Sequence, residues 1–324
     1  MWVVVPYLLP LGVIVMANLG VTRRRWRLLT YVTLALFGAA MWLGGLLLLA
    51  LPYLQRLTDA PAALLQQGLS MRGYGLALAA STLLSWACLT RPVRNLLARW
   101  LAIDPASPVH TTALVFVVYL ATSSLALLTS SGEWLLAGVQ VSSIGPELLV
   151  LGQAVFLLFA LAGVGLGVRR GLRQAFKRLD LGVLTWRQLG TAVVMIIAFL
   201  ALDWVTSRLW RQLWPVNYKL VAEASESLFG RFASPAGALV LGLSAGIGEE
   251  TLFRGALQPR FRIPLTALVF ALGHVQYTLS PAILEIVLIG LALGWLREKS
   301  NTTACIVVHS GYNFLNVLLL PYWT

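Results

Sequence analysis

The chain reads as an all-α, polytopic helical membrane protein, and three observations carry that reading. Hydrophobic residues fill 59% of its 324 positions and charged residues only 11%. The mean hydropathy of +0.82 is more apolar surface than a soluble domain can bury. Several apolar runs approach or exceed the ~20 residues that take a helix across a bilayer, whereas the ~10-residue alternating segments of a membrane barrel are absent. The net charge of +12 is gathered in short clusters between those runs, as the positive-inside rule expects, so no nucleic-acid partner is needed to explain it. Cys88 and Cys305 are the only cysteines and both lie in apolar segments, which argues against a disulfide framework or a cysteine-rich metal site.

The elements follow in order. Apolar runs at 2–21, 28–51, 71–90, 110–130, 146–168, 189–206, 235–255, 263–279, 281–297 and 302–320 predict about ten transmembrane helices. The first lacks a basic lead and is expected to be a retained span, not a cleaved signal peptide. Pro52 and Pro61, then Pro105 and Pro108, separate early spans. The mixed segment 207–234 reads as a loop or an interfacial amphipathic helix, with Trp204, Trp210 and Trp214 at headgroup level. The last four runs are the shortest and hold the most polar residues. Gly242-x-x-x-Gly246 and Gly290-x-x-x-Gly294 place small residues one turn apart, a spacing that lets membrane helices approach closely.

Eighteen of the 24 lysines and arginines fall on one set of alternate connections. They include Arg23–Arg27, Arg91–Arg99, the 169–187 stretch, Arg260, Arg262, Arg297 and Lys299. That bias predicts an integral membrane protein with both termini on the non-cytoplasmic side, and a bacterial plasma membrane is the expected location. Composition divides the chain into an N-terminal region of five spans (1–168), a basic linker with a sixth span and interfacial segment (169–234), and a polar-rich C-terminal core (235–324).

The chemistry concentrates in that core. Glu249 and Glu250 close an apolar run, and ionisable groups there are costly unless paired, hydrated or ligating. On a helix Glu250 and Arg254 stand at i, i+4 and can pair, while Glu249, rotated by roughly 100°, faces another space. His274 ends a span of apolar residues. His309 and Asn313 are again i, i+4 on one face. A single buried histidine is ordinarily a hydrogen-bonded core residue. Two histidines, a carboxylate pair and an asparagine on consecutive spans instead call for one shared hydrated cavity. Two histidines and a carboxylate match a zinc site with an open position for water, here His274, His309 and Glu249. A free glutamate could take the water's proton, and donors such as asparagine could meet the oxyanion. No His-Glu-x-x-His motif occurs. Of the other polar residues, Asp203 is expected to pair with Arg208 near an interface, His110 to be interfacial, Glu285 to be a candidate cavity residue, and Glu133 and Glu147 to lie in solvated loops.

Glu249-Glu250-x-x-x-Arg254, then Phe270-x-x-x-His274, then His309-x-x-x-Asn313, resemble the motifs of the CAAX-protease and bacteriocin-processing (CPBP, or Abi) family of intramembrane endopeptidases, in the family's order over about 236–320. Leu179-Asp180-Leu181-Gly182 with Thr185-Trp186-Arg187 resembles the short lead-in to the bacterial core. The resemblance implies that Glu249 activates a water, that Glu250 and Arg254 support it, that His274 and His309 bind the metal or the water, and that Asn313 stabilises the oxyanion or completes the coordination. It implies zinc as cofactor, or a metal-free glutamate-activated water, and a membrane-associated protein or peptide as substrate in the lipid bilayer. It does not reach 1–168. Two other functions fit the same residues: a proton-coupled transporter, against which the lack of inverted repeats counts, and a non-catalytic immunity-type scaffold.

Overall fold

A computed structural model describes residues 5–57, 71–136 and 146–323. Among them the regular elements are all helical and no strand occurs. The N-terminal part is built from α1 (Val5–Leu19), α2 (Arg24–Leu57), α3 (Arg72–Leu89), α4 (Arg91–Leu97), α5 (Pro108–Leu136) and α6 (Pro146–Gly163). A linker carries the short α7 (Leu172–Arg178) into α8 (Trp186–Leu213) and α9 (Pro215–Phe229). The C-terminal part is α10 (Pro235–Glu250), a π-helical turn (Thr251–Leu257), α11 (Gln258–Leu272), a 3₁₀ turn (Val275–Tyr277), α12 (Pro281–Lys299) and α13 (Thr302–Trp323).

Five of these stretches are long and apolar enough to cross a membrane: α2, α5, α6, α8 and the run from α10 through α11, which is kinked at Arg262. A sixth counts if α3 and α4, bent by 91° at Thr90, are one span. This is fewer than the ten expected, and the reason is local. At 15 residues α1 is short, α12 carries Glu285, Arg297, Glu298 and Lys299, and α13 holds His309, Asn313 and Asn316. The bend before α4 is held by buried Arg94, whose Nη1 donates to the Leu89 carbonyl at 2.9 Å, one of the carbonyls that the end of α3 leaves unpaired.

Other expectations are corrected. The run 235–255 continues through the π turn as far as Phe261, and the expected break before 263 falls at Arg262, where the backbone leaves helical geometry with φ 62° and ψ 170°. The run predicted over 263–279 stops at Leu272, and His274 follows the helix end with φ −91° and ψ 55°. Segment 207–234 takes the helical one of its two expected forms, through the end of α8, α9 and a short 3₁₀ turn, but Trp210, expected at headgroup level, is buried. Glu133 falls within α5 and Glu147 in the first turn of α6. Asp203 accepts from Asn316 Nδ2 at 3.0 Å, while Arg208 lies over the Trp204 ring. Membrane-facing side chains such as Leu36, Leu83 and Ile197 stand exposed.

The small residues act where the spacing predicted. A β-carbon on Gly246 would stand 2.9 Å from the Ile306 carbonyl oxygen, and one on Gly242 3.2 Å from the Phe314 amide, so α10 and α13 pack nearly backbone to backbone. Gly290 brings α12 against the Ala267 backbone of α11, and Gly294 makes room for the Ile263 and Gln258 side chains, with Gln258 Nε2 reaching the Gly294 carbonyl at 2.8 Å. α8 packs on α12 and α13 through Ala192 and Phe199, which meet Ile289, Leu293, Cys305 and Val308.

The linker ties these layers together. Thr302 Oγ1 donates to the Leu179 carbonyl at 2.7 Å and the Thr302 amide to Asp180 at 3.0 Å. Arg178 Nη1 reaches the Gly255 carbonyl in the π turn at 3.2 Å. Burial, with Arg260, Arg170, Arg297 and Arg169 nearby, lowers Arg178 to a pKa of about 10, so basic residues from separate connections converge at one end of the bundle. Gly246→Leu is expected to lower the thermal stability of the detergent-solubilised protein by about 1–3 kcal/mol. Gly44→Leu, with open space around its α-carbon, is expected to leave the melting temperature unchanged.

Candidate active site

The site is built where α10 passes into the π turn. Seven π-helical residues follow Glu250 directly, and such insertions are frequent at functional positions. Glu250 and Arg254 are both fully buried, with Arg254 Nε donating to Glu250 Oε2 at 3.0 Å. This is the pair predicted from the spacing. The second oxygen, Glu250 Oε1, faces His309 Nδ1 on α13 at 2.8 Å. Arg254 also lays its guanidinium over the Phe270 ring of α11, 4.8 Å from the centroid, a cation–π contact that strengthens on desolvation. A carboxylate, a guanidinium, an imidazole and an aromatic face thus close into one buried unit.

Phe270 is the common wall. Its ring meets the rings of His274 at 4.8 Å, Phe253 at 5.3 Å and His309 at 5.9 Å, centroid to centroid. Both histidines therefore come to one aromatic ring from different elements. His274 Nδ1 lies 2.9 Å from the Phe270 carbonyl, which occupies one of the last carbonyls of α11 and leaves Nε2 as the second ring nitrogen for other work. His274 and Tyr277 stack with their rings 18° apart.

Glu249 stands apart from this unit, as the rotation about α10 predicted. It is 9% exposed. Its Oε1 accepts from Gln153 Nε2 of α6 at 2.7 Å, and its Oε2 is buried without a partner among the described residues. Gly248 makes the contact feasible, since a β-carbon there would lie 2.9 Å from the Gln153 carbonyl carbon. Asn313 is half-buried one turn beyond His309 on α13.

The structure thus joins Glu250, Arg254 and His309 directly, brings His274 to the same aromatic wall, and sets Glu249 on a separate hydrogen bond. Sequence reasoning missed Gln153. Its one signal was an amide in a span that is apolar after Glu147, Pro146–Gly163. It also missed the bond between Glu250 and His309, which lie 59 residues apart. The zinc set expected from His274, His309 and Glu249 does not fit as arranged: among the described residues no three His, Cys, Asp or Glu side chains are grouped to hold a metal ion. Beyond the site, Glu285 is buried, within electrostatic reach of Asp203 and bonded to Thr206.

Removing one partner of a buried ion pair leaves a charge uncompensated. Arg254→Leu is therefore expected to cost about 3–5 kcal/mol of stability, read as a lowered melting temperature, whereas Lys219→Ala, which breaks an exposed pair with Glu223, is expected to change little.

No curated protein and no solved structure matches the chain. Residues 231–315 match the family model described as type II CAAX prenyl endopeptidase Rce1-like, so the resemblance that the three motifs carry holds over the segment containing every one of their residues.

Proposed function

We propose that the protein is an intramembrane endopeptidase that hydrolyses a peptide bond of a membrane-associated protein or peptide with a water activated by Glu249. The observation that carries the proposal is the division of labour between the two adjacent carboxylates. Glu250 is committed on both oxygens, to Arg254 and to His309. Glu249 is held on one oxygen only and keeps the other for a proton. A carboxylate in hydrogen-bond reach of a water is a general base.

In this reading the water oxygen attacks the scissile carbonyl carbon as its proton passes to Glu249 Oε2. His274 orients the water. His309, fixed through Nδ1 by Glu250, and Asn313 one turn away meet the charge that develops on the carbonyl oxygen. The carbon–nitrogen bond then breaks and the proton held by Glu249 goes to the leaving amine. Burial in a water-poor bundle strengthens these electrostatic contacts relative to bulk water. The match to a prenyl endopeptidase family supports a substrate carrying a lipid anchor, cleaved near the bilayer surface. The convergence of Arg169, Arg170, Arg178, Arg260 and Arg297 at one end supports placing that end on the cytoplasmic side of the membrane.

Purified protein in detergent or liposomes is assayed on one membrane-anchored peptide in farnesylated and unmodified forms. Glu249→Gln is expected to lower turnover by ~10²–10⁴-fold while the protein inserts and accumulates normally, and His274→Ala and His309→Ala are expected to fall similarly. Cleavage at the wild-type rate by Glu249→Gln removes the proposal. Metal analysis of the same preparations is expected to show less than stoichiometric zinc, with turnover surviving a chelator. Equimolar zinc that vanishes in the His274→Ala/His309→Ala double variant would restore the zinc reading.

A further inference from the structure

We infer that Gln153 is a positioning residue for the Glu249 base, so that the N-terminal helices complete the active site instead of merely surrounding it. The inference rests on the hydrolytic reading above, and three observations carry it.

First, the contact is directional. A carboxylate can only accept, so the amide face turned to it is Nε2, and the 2.7 Å separation is that of a charge-assisted bond. It fixes Glu249 Oε1 and with it the rotation of the whole carboxyl group. Proton transfer from water needs the other oxygen held in place, because small displacements of a reacting group are costly in rate.

Second, the approach is built into the backbone. Gly248 is fully covered by α6, and a β-carbon there would collide with the Gln153 main chain. The residue just before the base is thus the one that lets the donor's helix come close. Phe156, one turn further along α6, packs edge-on to Phe253 of the π turn at 6.2 Å, which fixes α6 along the same face.

Third, the bond leaves one buried acceptor on each partner, Glu249 Oε2 and Gln153 Oε1, neither paired among the described residues. A glutamine that only needed to satisfy itself within an apolar span would close its carbonyl as well as its amide. Here the amide is spent on the carboxylate. Gln153 lies outside the segment 231–315 that matches the family model.

The test compares full-length wild-type, Gln153→Met and Gln153→Asn on the peptide that wild-type cleaves. Methionine keeps the length without a donor. Asparagine keeps the donor one methylene short. Both are expected to lower kcat by about 10- to 100-fold, the range for a hydrogen bond to a charged group. KM is expected to stay within about twofold, and the melting temperature to fall in the methionine variant, which leaves the buried carboxylate without its donor. Wild-type kcat in both variants overturns the inference, as does a raised KM with unchanged kcat. If the methionine variant fails to accumulate, the asparagine variant decides by the same two criteria. Glu249→Gln is run alongside. Cleavage retained there sinks the proposed hydrolysis itself, whereas cleavage lost there but normal in both Gln153 variants sinks only the role given to Gln153.

Discussion

The buried contact of Glu250 with Arg254 and His309 is the constraint on which the rest of the C-terminal bundle depends. Taking a carboxylate and a guanidinium out of water costs several kcal/mol per ion unless geometry and further hydrogen bonds compensate. Here the compensation comes from three elements at once. The π turn places Arg254 on one oxygen, α13 places His309 on the other, and α11 supplies the Phe270 face beneath the guanidinium. The Arg254 contact is local, but His309 and the Phe270 face come into reach only when α10, α11 and α13 have closed, so the ion cluster and the helix packing stabilise each other. Two guanidinium nitrogens, Nη1 and Nη2, have no hydrogen-bond partner among the described residues, and the aromatic face is what lies against them.

That closure in turn needs helices that approach closely. Gly242 and Gly246 turn one side of α10 to α13, and Gly248, further round the same helix, turns another side to α6. One helix thus serves two neighbours by placing its smallest residues on both contact lines. Membrane helices have no hydrophobic drive toward one another, so such close van der Waals contact is a principal source of their association. The two adjacent glutamates inherit the arrangement: Glu250 looks inward to its pair, and Glu249 looks toward α6.

What could be read from the residues alone was what is local. The Glu250–Arg254 pair follows from a spacing of four, the different outlook of Glu249 from one step of helical rotation, and the crossings at Gly242/Gly246 and Gly290/Gly294 from small residues one turn apart. What could not be read was the identity of distant partners. Nothing in the spacing says that His309 pairs with Glu250 and not Glu249, or that an amide 96 residues upstream meets Glu249. Periodicity also failed at the ends of elements. Val275 to Thr278 continue the composition of α11, yet the helix stops at Leu272, and the π turn after Glu250 leaves no mark in a hydropathy profile. The count of spans fell for a related reason, since the side chains that make the site reduce the apolarity of the helices that carry them.

The stopping point of α11 makes that helix a ruler. Phe270 and His274 are placed by the number of residues between the kink at Arg262, where the backbone turns through φ 62°, and Gly273. A single residue inserted or removed in that interval would swing both rings by about 100° and shift them by ~1.5 Å along the axis. The guanidinium of Arg254 would lose its aromatic cover in the same movement. Length in this stretch is therefore under tighter constraint than composition: one apolar side chain can replace another at most of its positions, but no position can be added.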